Sequence, residues 1–269
     1  MEKRIHFNRY LAVTFSLLLA ITGGYAQITN DVYTPQSGQD GKDVVWVPTP
    51  QALVDTMLAL ANVTSADYVV DLGSGDGRLV ITAAKRGAKA LGIEYNPDMV
   101  ELARRNAREE GVSARATFKQ ADIFESDFSK ATVITLFLLS DLNLRLRPTI
   151  LETKPGTRIV SNTFNMSDWE PDQTAKIDES SSWTTAHLWI VPAKVDGNWK
   201  LDDGQIKFTQ KFQHITGTLT MGDKKMELSG KLKGNKITFH AGGTEYTGTV
   251  SGNVISGMRA GGGYWKATR

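Results

Sequence analysis

A chain of 269 residues can form one large domain or two small ones, and 41% hydrophobic with 22% charged residues describes ordinary globular material. A net charge of +2 gives no strong pull toward nucleic acid. The absence of cysteine excludes disulfides, thiolate metal sites and cysteine nucleophiles, and the four histidines (His6, His187, His214, His240) form no metal-ligand spacing.

In chain order, Lys3, Arg4 and Arg9 precede the apolar run 11–21, and Gly24 and Ala26 place small residues where a signal peptidase reads them. Residues 1–26 are therefore expected to be a secretory signal, cleaved after Ala26, that exports the mature chain to the periplasm or beyond without a membrane span. An uncleaved N-terminal anchor and a cytoplasmic chain are the alternatives. Residues 27–43 are polar and rich in Asn, Asp, Gly and Gln, which predicts a flexible lead-in.

From 44 to 193, short β-branched runs alternate with amphipathic stretches, the pattern of an α/β domain with a largely parallel sheet. Thr49 and Pro50 predict a helix start, with Leu53, Met57 and Leu60 on one face. Strands are expected over 68–72, 90–94, 116–120, 132–138 and 158–162. Helices are expected over 77–86, from the Asn96 cap to Gly111, and over 142–153. Runs 175–179 and 184–191 stand too close for a helix between them and predict an antiparallel hairpin at one end of the sheet.

After Ala193 the composition shifts to Gly, Thr and Lys in short alternating runs. "LSGKLKGNKIT" (228–238) repeats as "YTGTVSGNVIS" (246–256), with a looser copy from Ile215. Each copy carries a tight-turn pair: Gly222-Asp223, Gly234-Asn235 or Gly252-Asn253. Residues 194–269 are thus expected to form an all-β meander, a small barrel or sandwich, with no clustered acid, base or nucleophile.

The segment Asp71-Leu72-Gly73-Ser74-Gly75-Asp76-Gly77 follows the first strand. Its G-x-G-x-G spacing departs from the dinucleotide fingerprint G-x-G-x-x-G, and Asp71 and Asp76 would repel a pyrophosphate while attracting a cationic ligand. Glu94 closes the second strand, where a carboxylate can accept from both ribose hydroxyls. Asp122, with Ile123 and Phe124, offers an acceptor and an apolar wall to an adenine.

"VVDLGSGDGRLVI", "GIEYNPDMVELARRNA" and "QADIF" resemble, in order, the cofactor motifs of class I (seven-strand) S-adenosylmethionine-dependent methyltransferases. "WVPTPQALVDTML", "TLFLLSDLNLRLRP" and "GTRIVSNTF" further resemble the small protein-lysine methyltransferases related to those that methylate the ATP synthase c subunit. The resemblance spans about 44–193 and implies a Rossmann-like seven-strand sheet, S-adenosylmethionine as cofactor and a lysine side chain of a protein as substrate. It implies that Asp71, Gly73, Gly75 and Asp76 approach the methionine part of the cofactor, Glu94 the ribose, and Asp122 and Ile123 the adenine. Val47, Pro48 and Thr49 would form a lid, with Trp46 either lid or core. Leu139, Ser140, Phe164 and Trp169 are the candidates for a substrate slot. The Asn/Asp-Pro-Pro-aromatic segment of nucleic-acid amino-methyltransferases is replaced by Leu138-Leu139-Ser140-Asp141, which argues against a nucleic-acid substrate. Two other readings stand beside this one: an exported adenosine-ligand binding protein without turnover, and an NAD-dependent oxidoreductase, which the glycine spacing disfavours.

Overall fold

The computed structural model describes residues 33–178 and 182–269, so the expected signal segment 1–26 lies outside the described residues. The first helix, α1 (Gln51–Leu60), buries Leu53, Val54, Met57 and Leu58. Thr49 was expected as its cap, but Pro50 holds the flanking position with no side-chain cap hydrogen bond. The Thr49 hydroxyl accepts instead from Asn162 Nδ2, at 3.2 Å.

Alternation then proceeds through β1 (Tyr68–Leu72), α2 (Arg78–Lys85), β2 (Lys89–Glu94), α3 (Pro97–Glu109), β3 (Ala116–Gln120), β4 (Val133–Leu136), α4 (Ser140–Leu151) and β5 (Arg158–Asn162). Asn96 caps α3 as expected, its side chain accepting from the amides of Asp98 and Met99. β6 (Gln173–Lys176) and β7 (Thr185–Ile190) complete a seven-strand sheet in the order β3-β2-β1-β4-β5-β7-β6. The first five strands are parallel; β7 runs antiparallel to β5 and to β6, which is the predicted hairpin.

Side chains alternate across the sheet. Val69 of β1 joins a core formed with α1, α2 and α3, whereas Val70 and Leu72 join a second core with Leu142, Leu146 and Ile150 of α4. Strand order reverses between β1 and β4, and a crevice opens there at the carboxyl ends of the strands.

The opposite edge of the sheet is tied by Asp67. Its buried carboxylate pairs with Arg158 and accepts from the Thr132 hydroxyl (2.7 Å) and the Thr64 amide (2.8 Å). Asp67→Ala removes the ion pair and the acceptor for Thr132 and Thr64, while Arg158 keeps the Ala61 and Asn62 carbonyls, and is expected to cost about 2 kcal/mol of unfolding free energy. Urea titration should show a lower midpoint at unchanged slope.

The C-terminal meander resolves into a closed eight-strand barrel. Its strands are β8 (Gly197–Lys200), β9 (Gly204–Lys211), β10 (His214–Met221), β11 (Lys224–Lys233), β12 (Lys236–Ala241), β13 (Thr244–Ser251), β14 (Val254–Arg259) and β15 (Tyr264–Thr268). The three turn pairs connect successive antiparallel strands with two-residue loops, and positive φ falls only on the first residue, at Gly222, Gly234 and Gly252, as in a type II′ turn. Phe239 fills the centre, stacked on Tyr246 at 4.9 Å and edge-on to Trp265 at 5.5 Å.

The barrel is bonded to the sheet rather than joined by a free linker. Val195 is fully buried, the Ala193 amide donates to Gly234, and Gln213 Nε2 donates to the Glu170 carbonyl. Among the described residues, no helix is long and apolar enough to cross a membrane.

Candidate active site

The crevice at the carboxyl edge of the sheet holds a pocket of about 1000 Å³ of empty space, its mouth included. Three acids meet in it from three consecutive turns: Asp71 of β1, Glu94 at the end of β2 and Asp122 after β3. Gly73, Gly75, Asp76 and Ile123 line it too, whereas Phe124, expected as part of the adenine's apolar wall, does not line it and lies instead under the Arg145 guanidinium.

The glycine turn is possible because φ is positive at Gly75 (+52°) and Gly77 (+82°), where side chains also have no room. A Cβ on Gly75 would lie 2.5 Å from Trp46 Nε1, and one on Gly77 would lie 2.7 Å from the Phe118 ring. Gly77 thus serves the close packing of helix on strand, while Gly75 leaves space under Trp46. Trp46 is half-buried against Gly75 and lines the pocket together with Val47, Pro48 and Thr49.

Each acid has a different environment. Asp71 is buried, and its Oδ1 accepts from the Thr135 hydroxyl at 2.6 Å. Burial pushes its carboxyl up to about 7, and nearby Glu94 and Asp76 push the same way against that hydrogen bond. Glu94 accepts the Gly75 amide on Oε2 and the Asn96 amide on Oε1, both at 3.0 Å, so it pins the turn to the end of β2. Two of its roughly four lone-pair positions stay available to a diol.

Asp122 accepts from Lys42 and from the Phe124 amide, and these bonds hold its carboxyl below the usual range. Asp76 is chelated by Arg78, whose Nη1 also donates to the Thr49 carbonyl at 2.8 Å. Arg78 was not singled out from the sequence; its place directly after the last glycine of the turn was the only local signal.

Of the expected flexible lead-in (27–43), the described residues 33–43 are tied by hydrogen bonds, and 39–43 line the pocket. The Gly38 amide donates to Trp46, Trp46 donates to Gln39, and Lys42 reaches across to Asp122 with its ammonium 4.8 Å from the Tyr95 ring centroid. Lys42→Ala unties this strap, and S-adenosylmethionine dissociation is expected to speed up about threefold, the scale of a partly exposed ion pair. Stopped-flow displacement reads this, with the melting temperature unchanged.

The proposed substrate-slot residues separate. Leu139 (43% exposed) and Ser140 sit at the start of α4, and Phe164 is half-buried beyond β5. Trp169 is elsewhere: fully buried, it stacks on Phe212 at 5.6 Å at the junction with the barrel, and its carbonyl accepts from Trp189 Nε1. Its apolar surroundings are the core on the α4 side of the sheet, with Trp189 beside it, and Phe212 of the barrel, tertiary contacts that no local pattern announces.

Residues 71–173 match the ANTKMT methyltransferase domain. A protein-lysine N-methyltransferase of Saccharolobus islandicus is 42% identical over 151 residues, covering 55% of this chain and 94% of that protein. The Rattus norvegicus lysine N-methyltransferase of the ATP synthase c subunit is 34% identical over 116 residues, 43% of this chain and 54% of that protein. Among solved structures, an RNA methyltransferase from Salinibacter ruber in complex with S-adenosyl-L-homocysteine aligns with TM-score 0.53 and 47% identity, covering 55% of this chain and 96% of that one.

Proposed function

The chain belongs to the S-adenosylmethionine-dependent methyltransferase family that includes the protein-lysine N-methyltransferases, and from that premise we propose that it methylates the ε-amino group of a lysine on another protein. The observation that carries the reading is the convergence of Asp71, Glu94 and Asp122 around the glycine turn in one pocket.

These residues fit the cofactor. Glu94 keeps acceptor positions for the ribose hydroxyls, Gly75 leaves a cradle that a Cβ would fill, and Asp71 is a carboxyl whose ionised form a cationic ligand would favour. S-adenosylmethionine, when bound, supplies a methyl group on positively charged sulfur, so transfer requires an aligned nucleophile with a free lone pair. Phe137, Leu138 and Leu142 form the apolar wall of the pocket, where desolvation lowers the pKa of an entering amine and frees its lone pair. A protein acceptor is favoured over nucleic acid by Leu138-Leu139-Ser140-Asp141 after β4. Export of the mature chain is supported by the basic, apolar and small-residue order of 1–26.

The test is incubation of the purified chain with isotopically labelled S-adenosylmethionine and a lysine-rich peptide. Mass spectrometry should find added methyl groups on lysine; label confined to other residues or to nucleic acid overturns the lysine assignment.

A further inference from the structure

Three aromatic rings from three separate loops meet at the carboxyl edge of the sheet. Phe137 follows β4, Phe164 follows β5 and Trp183 precedes β7. The ring centroids lie 6.2 Å (Phe137 to Phe164), 5.3 Å (Phe137 to Trp183) and 5.7 Å (Phe164 to Trp183) apart. All three are half-buried, and Phe137 also lines the cofactor pocket beside Leu138.

The loop carrying Phe164 is held at a cost. Thr163 has φ of +60°, a region that β-branched residues rarely adopt and that persists only where surroundings enforce it. Asn143, fully buried in α4, directs its Nδ2 at the carbonyls of Phe164 (3.3 Å) and Asn165 (3.4 Å). On the other side Asn162 Nδ2 donates to Thr49 Oγ1, tying the loop to the pocket-lining segment 47–49. Filling a surface gap would require neither the strained Thr163 nor a buried amide clamping the backbone around it.

We propose that Phe137, Phe164 and Trp183 form a subsite for an alkylammonium side chain, through which the acceptor lysine and its methylated products reach the cofactor pocket. The subsite rests on the lysine reading and extends it. Aromatic faces attract an ammonium group, and a methylated ammonium loses less hydration on entering. The flanking Leu138 provides the dry end where the amine can give up its proton.

Two measurements test this. With a lysine-rich peptide as acceptor, Phe164→Ala and Trp183→Ala should raise KM about tenfold with S-adenosylmethionine affinity held within about twofold, and Trp183→Phe should recover most of the loss. Where an alanine variant fails to fold, Phe164→Leu and Trp183→Phe take its place, with a smaller rise in KM expected for each. Calorimetry with butyltrimethylammonium in the presence of S-adenosylhomocysteine should show binding to the unmodified chain, weaker binding of the uncharged carbon isostere, and loss in Trp183→Ala. Unchanged KM and kcat in the variants, while the unmodified chain methylates lysine, overturn the subsite and leave the lysine reading intact. If the unmodified chain labels no lysine, that reading falls, and the calorimetry alone decides the subsite: cation binding lost with Trp183 sustains it, and no binding overturns it.

Discussion

Glu94→Ala is expected to weaken S-adenosylmethionine binding about a hundredfold while the sheet stays folded. The carboxylate holds the glycine turn through Gly75 and the start of α3 through Asn96, both at 3.0 Å, and presents its remaining lone pairs to the ribose. Hydrogen bonds to a charged acceptor contribute roughly 1.5–3 kcal/mol each, so losing a ribose contact and loosening the turn together cost about 3 kcal/mol of binding. Glu94→Gln turns one acceptor into a donor that must face an amide or a hydroxyl, and an intermediate loss of about tenfold is expected. Calorimetry on both variants reads the effect. Affinity within about threefold of the unmodified chain, with an unchanged melting curve, would remove Glu94 from the cofactor site.

The parts of this site that could be read in the sequence are those written locally. A β-branched run ending in an acid, followed by glycines, marks both the strand and the turn, and Asp71, Glu94 and Asp122 each end or follow such a run. The hairpin pairs Gly222-Asp223, Gly234-Asn235 and Gly252-Asn253 were likewise legible, because positive φ next to alternating residues has few other solutions. Closure of the barrel was not. It depends on β15 meeting β8 through Thr268 and Lys200, far apart in the chain, and inward-outward alternation is the same in a sandwich. The same limit hid Lys42, which pairs with an acid 80 residues away, and misplaced Trp169, whose packing partner Phe212 lies in the barrel. Thr163 showed no sign at all: its positive φ lies between residues that bond Asn143 of α4 and Thr49, contacts no local pattern announces.

Asp71 gives the site a pH dependence that separates ligand binding from folding. In the unfolded chain its carboxyl ionises near the ordinary value of 3.8, whereas in the folded protein burial holds it protonated up to about 7. The folded state therefore binds the extra proton, so this contribution to stability is fully present below about pH 4 and is lost as pH rises through about 7. A cationic ligand beside the carboxylate reverses the balance, because it favours the ionised form and must expel that proton on binding. S-adenosylmethionine affinity is accordingly expected to rise with pH, approaching tenfold per unit over the acid side of neutrality, and to level off above about pH 7. Asp71→Asn cannot ionise: its affinity should be low and flat across the same range, and its stability should no longer decline there. Titration calorimetry in two buffers of different ionisation enthalpy counts the released proton directly. An affinity in the unmodified chain that is flat from about pH 5.5 to 7.5, with no proton released, would show that ligand binding does not change the ionisation of Asp71 and would overturn this coupling.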